Sequence, residues 1–267
     1  MTGVERIAEA FESARANGRR AALMPYLMGG YPDLETSRRI GIEYALAGAD
    51  LVELGVPFSD PLADGPVIHA AGTAALRAGV RLPDVLSEVA RPIAAHVPVI
   101  VMCYANPIVA RGFERFADAL VQSGASGLIV PDMPLEEAPA ALRACDERGL
   151  ALVPLLAPTT PDGRLARIGA QARGFVYTVS LTGTTGERAG HLQDGLAGVL
   201  SRAAASTSVP VAVGFGISTP EQAAAAAAAG ADGVIVGTRL VRAAGEADDP
   251  VAAVGALVRE LAAGLTG

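Results

Sequence analysis

"LAGADLVELG", residues 46–55, changes period part-way: it reads as a helix end, a glycine, and then a strand carrying Leu51, Val52 and Leu54. The glycine supplies the left-handed cap that stops a helix, and the small residues behind it make a short turn into the strand. Two more stretches have the same reading, "SGASGLIVPD" at 123–132 and "AAGADGVIVG" at 228–237. A helix–glycine–strand unit that recurs along a chain predicts a parallel sheet covered by helices.

Outward from these units, apolar runs rich in valine, leucine and isoleucine recur over the whole length. They are "AALMPYLM" from Ala21, "ADLVELGV" from Ala49, "VPVIVMCY" from Val97 and "SGLIVPD" from Ser126, followed by "LALVPLLA" from Leu150, "GFVYTVS" from Gly174, "VPVAVGF" from Val209 and "DGVIVG" from Asp232. Their nearly continuous apolar character suits strands buried on both faces. Helical stretches such as "LETSRRIGIEYALA", "GFERFADALVQS", "LEEAPAALRACDER" and "PEQAAAAAAA" lie between them. Eight strand–helix units with no break in composition predict one domain over 1–267, an α/β chain folded as a (β/α)8 TIM barrel. An open doubly wound sheet is the alternative, but the first strand lacks the G-x-G-x-x-G turn. "VERIAEAFESARANG" adds an extra N-terminal helix, with Val4, Ile7, Ala8 and Phe11 at helical spacing to plug one end.

Composition narrows the function classes. The net charge is −7 and no basic cluster exists, so nucleic acid is not an expected partner. No run approaches the length of a membrane span, and "MTGVERIAEA" has acidic residues where a signal peptide is basic and then apolar, which predicts an unprocessed cytoplasmic protein. Cys103 and Cys145 lack paired spacing and read as reduced core thiols. His69, His96 and His191 show no ligand spacing, so no metal is expected.

Sites in this fold stand at the carboxyl ends of the strands. The seventh run ends in "GFGISTPEQ", where Gly214 and Gly216 let backbone N–H groups approach a ligand and Ser218 or Thr219 caps a helix. The eighth ends in "VGTRLV", where Gly237 and Thr238 open a helical segment whose N-terminus favours an anion. Paired loops in these positions predict a phosphate site. The sixth run leads into "SLTGTTGER", a lid or a plain connector, and the loop from Gly183 to His191 is expected to move without ligand.

Acid–base candidates are Glu53 on a strand, Asp60 and Asp64 in the loop behind it, Asp132 at the end of the fourth strand, and Tyr177 in the sixth. Loop aspartates commonly cap turns, and that reading is preferred for Asp60. For Glu53 two readings stand: an ion pair with an arginine, or a carboxyl of raised pKa that moves a proton. An unpaired carboxylate among Leu51, Val52 and Leu54 would cost several kcal/mol, roughly, so it must be paired, protonated or used. No lysine stands among the strand ends, which disfavours a Schiff-base aldolase.

"PYLMGGYPD", "ELGVPFSDPLADGP", "MCYANPI", "GLIVPDMPLEE", "VSLTGTTGER" and "VGFGIST" together resemble the tryptophan synthase α subunit family over essentially the whole chain. The proline-bracketed loop with both aspartates is the most specific of them. The resemblance implies retro-aldol cleavage of indole-3-glycerol phosphate to indole and glyceraldehyde 3-phosphate, a lyase step of tryptophan biosynthesis. It implies that Glu53 is the general acid–base residue, that Asp64 meets the indole N–H, and that Tyr177 lines the indole site. By the same analogy Gly186, Gly214, Phe215, Gly216, Gly237 and Thr238 hold the phosphate, while Tyr26, Met102, Tyr104, Ile129, Leu155 and Phe215 form the indole pocket. It implies no cofactor in this chain, and a β subunit carrying pyridoxal phosphate as partner in an α2β2 heterotetramer, met through the loop from Pro57 to Asp64 and the "ANPI" loop. Thr238 replaces the serine of many relatives and Leu181 the arginine of some. Competing expectations are a stand-alone indole-3-glycerol-phosphate lyase, a non-catalytic activator of a β subunit, and another phosphate-binding barrel such as a ribose-phosphate isomerase. The "FSDPLADGP" loop disfavours the last, and intact Glu53 and Asp64 disfavour the second.

Overall fold

The computed structural model describes residues 1–179, 189–214 and 216–267. The three sequence repeats share one geometry. Gly48, Gly124 and Gly230 have φ of +106°, +74° and +103°, and the following N–H groups of Ala49, Ala125 and Ala231 reach back to Tyr44, Leu120 and Ala226. That is the hydrogen-bond pattern of a helix stopped by a left-handed residue. Two copies also use their aspartate: Asp50 accepts from Leu23 N at 2.8 Å and Asp232 from Val211 N at 2.9 Å, each fastening the start of a neighbouring strand.

The strands are β1 (Ala22–Met28), β2 (Val52–Gly55), β3 (Val99–Met102), β4 (Gly127–Ile129), β5 (Ala151–Val153), β6 (Leu155–Leu156), β7 (Val176–Val179), β8 (Val211–Gly214) and β9 (Gly233–Val236). All pairs are parallel, in the order β5-β4-β3-β2-β1-β9-β8-β7-β6. The two ends of that order belong to one sequence run, split at Pro154, which has no N–H to offer. Pro154 still accepts from Tyr177 N at 3.0 Å, so the ring closes with eight staves. The expected TIM barrel is therefore present, with the fifth run divided in two.

Around it lie α1 (Gly3–Ala16), α2 (Leu34–Leu46), α3 (Pro66–Arg77), α4 (Leu82–Asp84), a π-helical stretch (Val85–Ala90), α5 (Arg91–Ala94), α6 (Ala105–Arg111), α7 (Phe113–Gln122), α8 (Pro139–Asp146), α9 (Asp162–Gln171), α10 (Ala189–Ser206), α11 (Pro220–Ala228), α12 (Thr238–Glu246) and α13 (Pro250–Gly264). The expected "ANPI" loop is the first turn of α6. Asp132 accepts from Ala105 N at 2.8 Å there, so this candidate acid caps a helix.

Strand alternation divides the core into two layers. Val52, Leu54, Val99 and Val101 pack outward against the helices, while Met24, Ile100, Ile129, Val153 and Phe175 fill the barrel. α1 closes one end as expected: Ile7, Phe11 and Ala14 join the interior cluster, and the Phe11 and Phe175 rings lie 5.9 Å apart. Both cysteines are buried and free. Among the described residues no helix is long and apolar enough to cross a membrane.

Candidate active site

Glu53 takes the inward position between outward Val52 and Leu54, with its Cα opposite those of Tyr26 on β1 and Ile100 on β3. It is 2% exposed and pairs with no arginine among the described residues, which removes the ion-pair reading. Burial, and then the nearby charge of Asp64, push its pKa up to about 8. Glu53 is thus a neutral acid at pH 7, in a setting where the carboxylate is one proton away.

The loop behind β2 brings Asp64 back over the barrel mouth. The Tyr104 hydroxyl donates to Asp64 Oδ1 at 2.8 Å and accepts from Ala63 N at 3.1 Å, while its ring stacks on Phe58 with centroids 5.1 Å apart. Partial burial raises the Asp64 pKa; the Tyr104 hydrogen bond and the charge of His69 oppose that rise. Two carboxyls therefore share one site with different supports, Glu53 without a hydrogen bond or ion pair among the described residues and Asp64 held by the Tyr104 hydroxyl. Asp60 is exposed and accepts from its neighbour Ser59 at 2.5 Å, in keeping with a turn role.

A cavity of about 1170 Å³ opens at this end of the barrel. Glu53, Asp64, Tyr26, Met102, Leu155, Tyr177, Gly216, Gly237 and Thr238 all line it, so most of the sequence-predicted residues converge. Two tyrosines flank Glu53, each lying over a strand-ending glycine. A Cβ on Gly55 would stand 2.0 Å from the Tyr26 hydroxyl, and one on Gly214 would be pressed against the Tyr177 hydroxyl. Gly214 thus makes room for a side chain rather than lining the cavity itself. Tyr104 and Ile129 also lie off the lining: Tyr104 holds Asp64 from behind, and Ile129 is fully buried inside the barrel. Gly186, Phe215 and most of the expected mobile loop lie outside the described residues.

Beyond the ends of β8 and β9, Gly216 has φ of +79° and Thr219 caps α11, accepting from Gln222 N. Gly237 is the N-cap of α12 and no side chain caps it; Leu240 N turns back to the Gly237 carbonyl at 2.9 Å, which leaves the N–H groups of Thr238 and Arg239 to face an anion. Among the described residues, three arginines line the cavity. Arg164 is held by both oxygens of Glu136, and Arg239 by the Ser218 carbonyl and, at 3.7 Å, Glu260. Arg242 has no hydrogen bond or ion pair among the described residues. Sequence reasoning missed it, although its spacing of one turn from Thr238 was the available signal. No group of three His, Cys, Asp or Glu among the described residues is placed to hold a metal.

A buried acid, a second supported carboxylate, apolar side chains of Met102 and Leu155 lining the same cavity and an anion-favouring helix end can protonate an aromatic carbon while a phosphate is held. The profile of the tryptophan synthase alpha chain family matches residues 11–264. The tryptophan synthase alpha chain of Synechococcus elongatus is 49% identical over 258 residues, 96% of this chain and 95% of that one. That of Prochlorococcus marinus is 48% identical over 239 residues, 88% and 86% of the two chains. Among solved structures, tryptophan synthase subunit alpha from Legionella pneumophila aligns with a TM-score of 0.88 at 37% identity, over 97% of this chain and 98% of that one. Mycobacterium tuberculosis tryptophan synthase aligns with a TM-score of 0.89 at 41% identity, over 98% of each chain. On the family match and on relatives of nearly full coverage, the chain belongs to the tryptophan synthase alpha chain family.

Proposed function

We propose that this chain carries out the alpha reaction of tryptophan synthase, cleaving indole-3-glycerol phosphate to indole and glyceraldehyde 3-phosphate, with Glu53 as the group that moves the proton. The observation that carries this reading is a buried carboxyl without an arginine partner, its pKa raised by that burial, beside a second carboxylate in one cavity. Glu53 enters as an acid and protonates C3 of the indole, which turns the ring into a cationic electron sink. Asp64, steadied by Tyr104, meets the ring N–H and stabilises that charge. Glu53, now a carboxylate, takes the proton of the adjacent glycerol hydroxyl, the C–C pair returns to the ring, and the carboxyl is restored to its starting state. Tyr177, Tyr26, Met102 and Leu155 enclose the ring, while Gly216, Gly237 and Thr238 receive the phosphate.

The same family reading assigns this chain a β subunit as partner, with pyridoxal phosphate bound there, and a cytoplasmic setting. Leu62, 93% exposed in the loop that carries Asp64, and Val109 on α6 offer that partner apolar contacts beside the mouth. The test is indole release from indole-3-glycerol phosphate, with and without a β subunit. The wild type releases indole and Glu53→Gln loses activity by about 10²-fold or more. Wild-type turnover by Glu53→Gln would sink the assignment, and full activity without β would favour a stand-alone lyase.

A further inference from the structure

Tyr26 is 3% exposed, yet its hydroxyl has no hydrogen-bond partner among the described residues. A buried hydroxyl left so is destabilising, and such a group needs an explanation. Ser126 and Thr178 also carry unpartnered hydroxyls, but neither lines the cavity, whereas Tyr26 does. Its Cα stands opposite that of Glu53, and its phenol crosses the end of β2 through the space left by the missing side chain of Gly55. Burial and the charges of Asp64 and Glu53 hold the phenol far above its ordinary pKa, so it keeps its proton throughout.

We propose that the Tyr26 hydroxyl donates a hydrogen bond to the substrate oxygen from which Glu53 removes a proton, the oxygen that becomes the aldehyde carbonyl. This rests on the proposed alpha reaction. In that step the Glu53 carboxylate takes the proton, the O–H pair forms the C=O bond, and the C–C pair passes into the ring and neutralises its nitrogen. Tyr26 transfers nothing. Its donor faces the oxygen while negative charge grows there, and a preorganised donor aimed at developing charge acts on the rate more than on binding. The partner of this buried hydroxyl is then the substrate.

Tyr26→Phe tests this, because it removes only the oxygen and keeps the ring over Gly55. Steady-state cleavage of indole-3-glycerol phosphate and thermal melting are measured on wild type and variant. The expected result is a kcat lower by about 10- to 100-fold, a KM within about twofold of wild type, and a Tm equal or higher, since an unpartnered hydroxyl has been deleted. An unchanged kcat, a defect confined to KM, or a lowered Tm accompanying the loss would each overturn the inference. A wild type that does not cleave the substrate would instead remove the proposed function, so the two failures are distinguishable.

Discussion

At Glu53, burial links chemistry to stability. Its pKa is about 8 in the folded chain and 4.5 when unperturbed, so the folded state binds one more proton between those values. Stability from this group is fully present below pH 4.5, falls as pH rises through the window, and is gone above about 8. Glu53→Gln is therefore expected to melt like wild type at pH 4.5 and higher than wild type at pH 9, by up to a few kcal/mol, roughly. For wild type, kcat/KM is expected to decline above pH 8, as the acid needed for the first proton transfer is lost; a flat profile to pH 10 would contradict this. Glu53 was legible in the sequence because a lone charge inside an apolar run has few bland explanations. Arg242 was legible only in its one-turn spacing from Thr238, since nothing in sequence says which arginines lack carboxylate partners. Side chains on a helix lean toward its N-terminus, so Arg242, one turn past Thr238, reaches back over the first turn of α12. Arg242→Gln is expected to raise KM for the phosphate substrate by about two- to fivefold with kcat unchanged, in line with an exposed charge contact.

Among the elements, the helix–glycine–strand units carried the fold, and their glycines are where the chain resists change. Gly230 has φ of +103° and open space where a Cβ would go, so Gly230→Ala isolates the backbone cost. A loss of about 1–2 kcal/mol is expected by chemical denaturation, with kcat unaffected. The same units hid a second device. Asp50 and Asp232 fasten β1 and β8 and pair with Arg19 and Arg15 near the plugging helix, which the spacing alone could not reveal because both arginines come from elsewhere in sequence. The short helices were the least legible elements: α6 begins with a turn-like Asn-Pro, and its start is held by Asp132 from another strand end. Tyr104 and Ile129 show the matching limit at the site. Both follow apolar patterns proper to a pocket wall, and only the three-dimensional layers separate a wall residue from one behind or beneath it.

For the whole molecule, eight apolar runs were enough to foresee the barrel but not where it is weakest. The ring closes through β5 and β6, three and two residues long around Pro154, while β1 opposite is seven residues long and buried throughout. Amide hydrogens of β5 and β6 are expected to exchange faster than those of β1 and β2, and uniform protection around the ring would argue against a seam. The tyrosines seated over glycines have a consequence of another kind. The chain has five tyrosines and no tryptophan, and Tyr26, Tyr104 and Tyr177 all adjoin the two carboxyls. Three of the five tyrosines thus stand at the mouth of the barrel, so a ligand entering there is expected to change the protein's own ultraviolet emission and can be followed without a label.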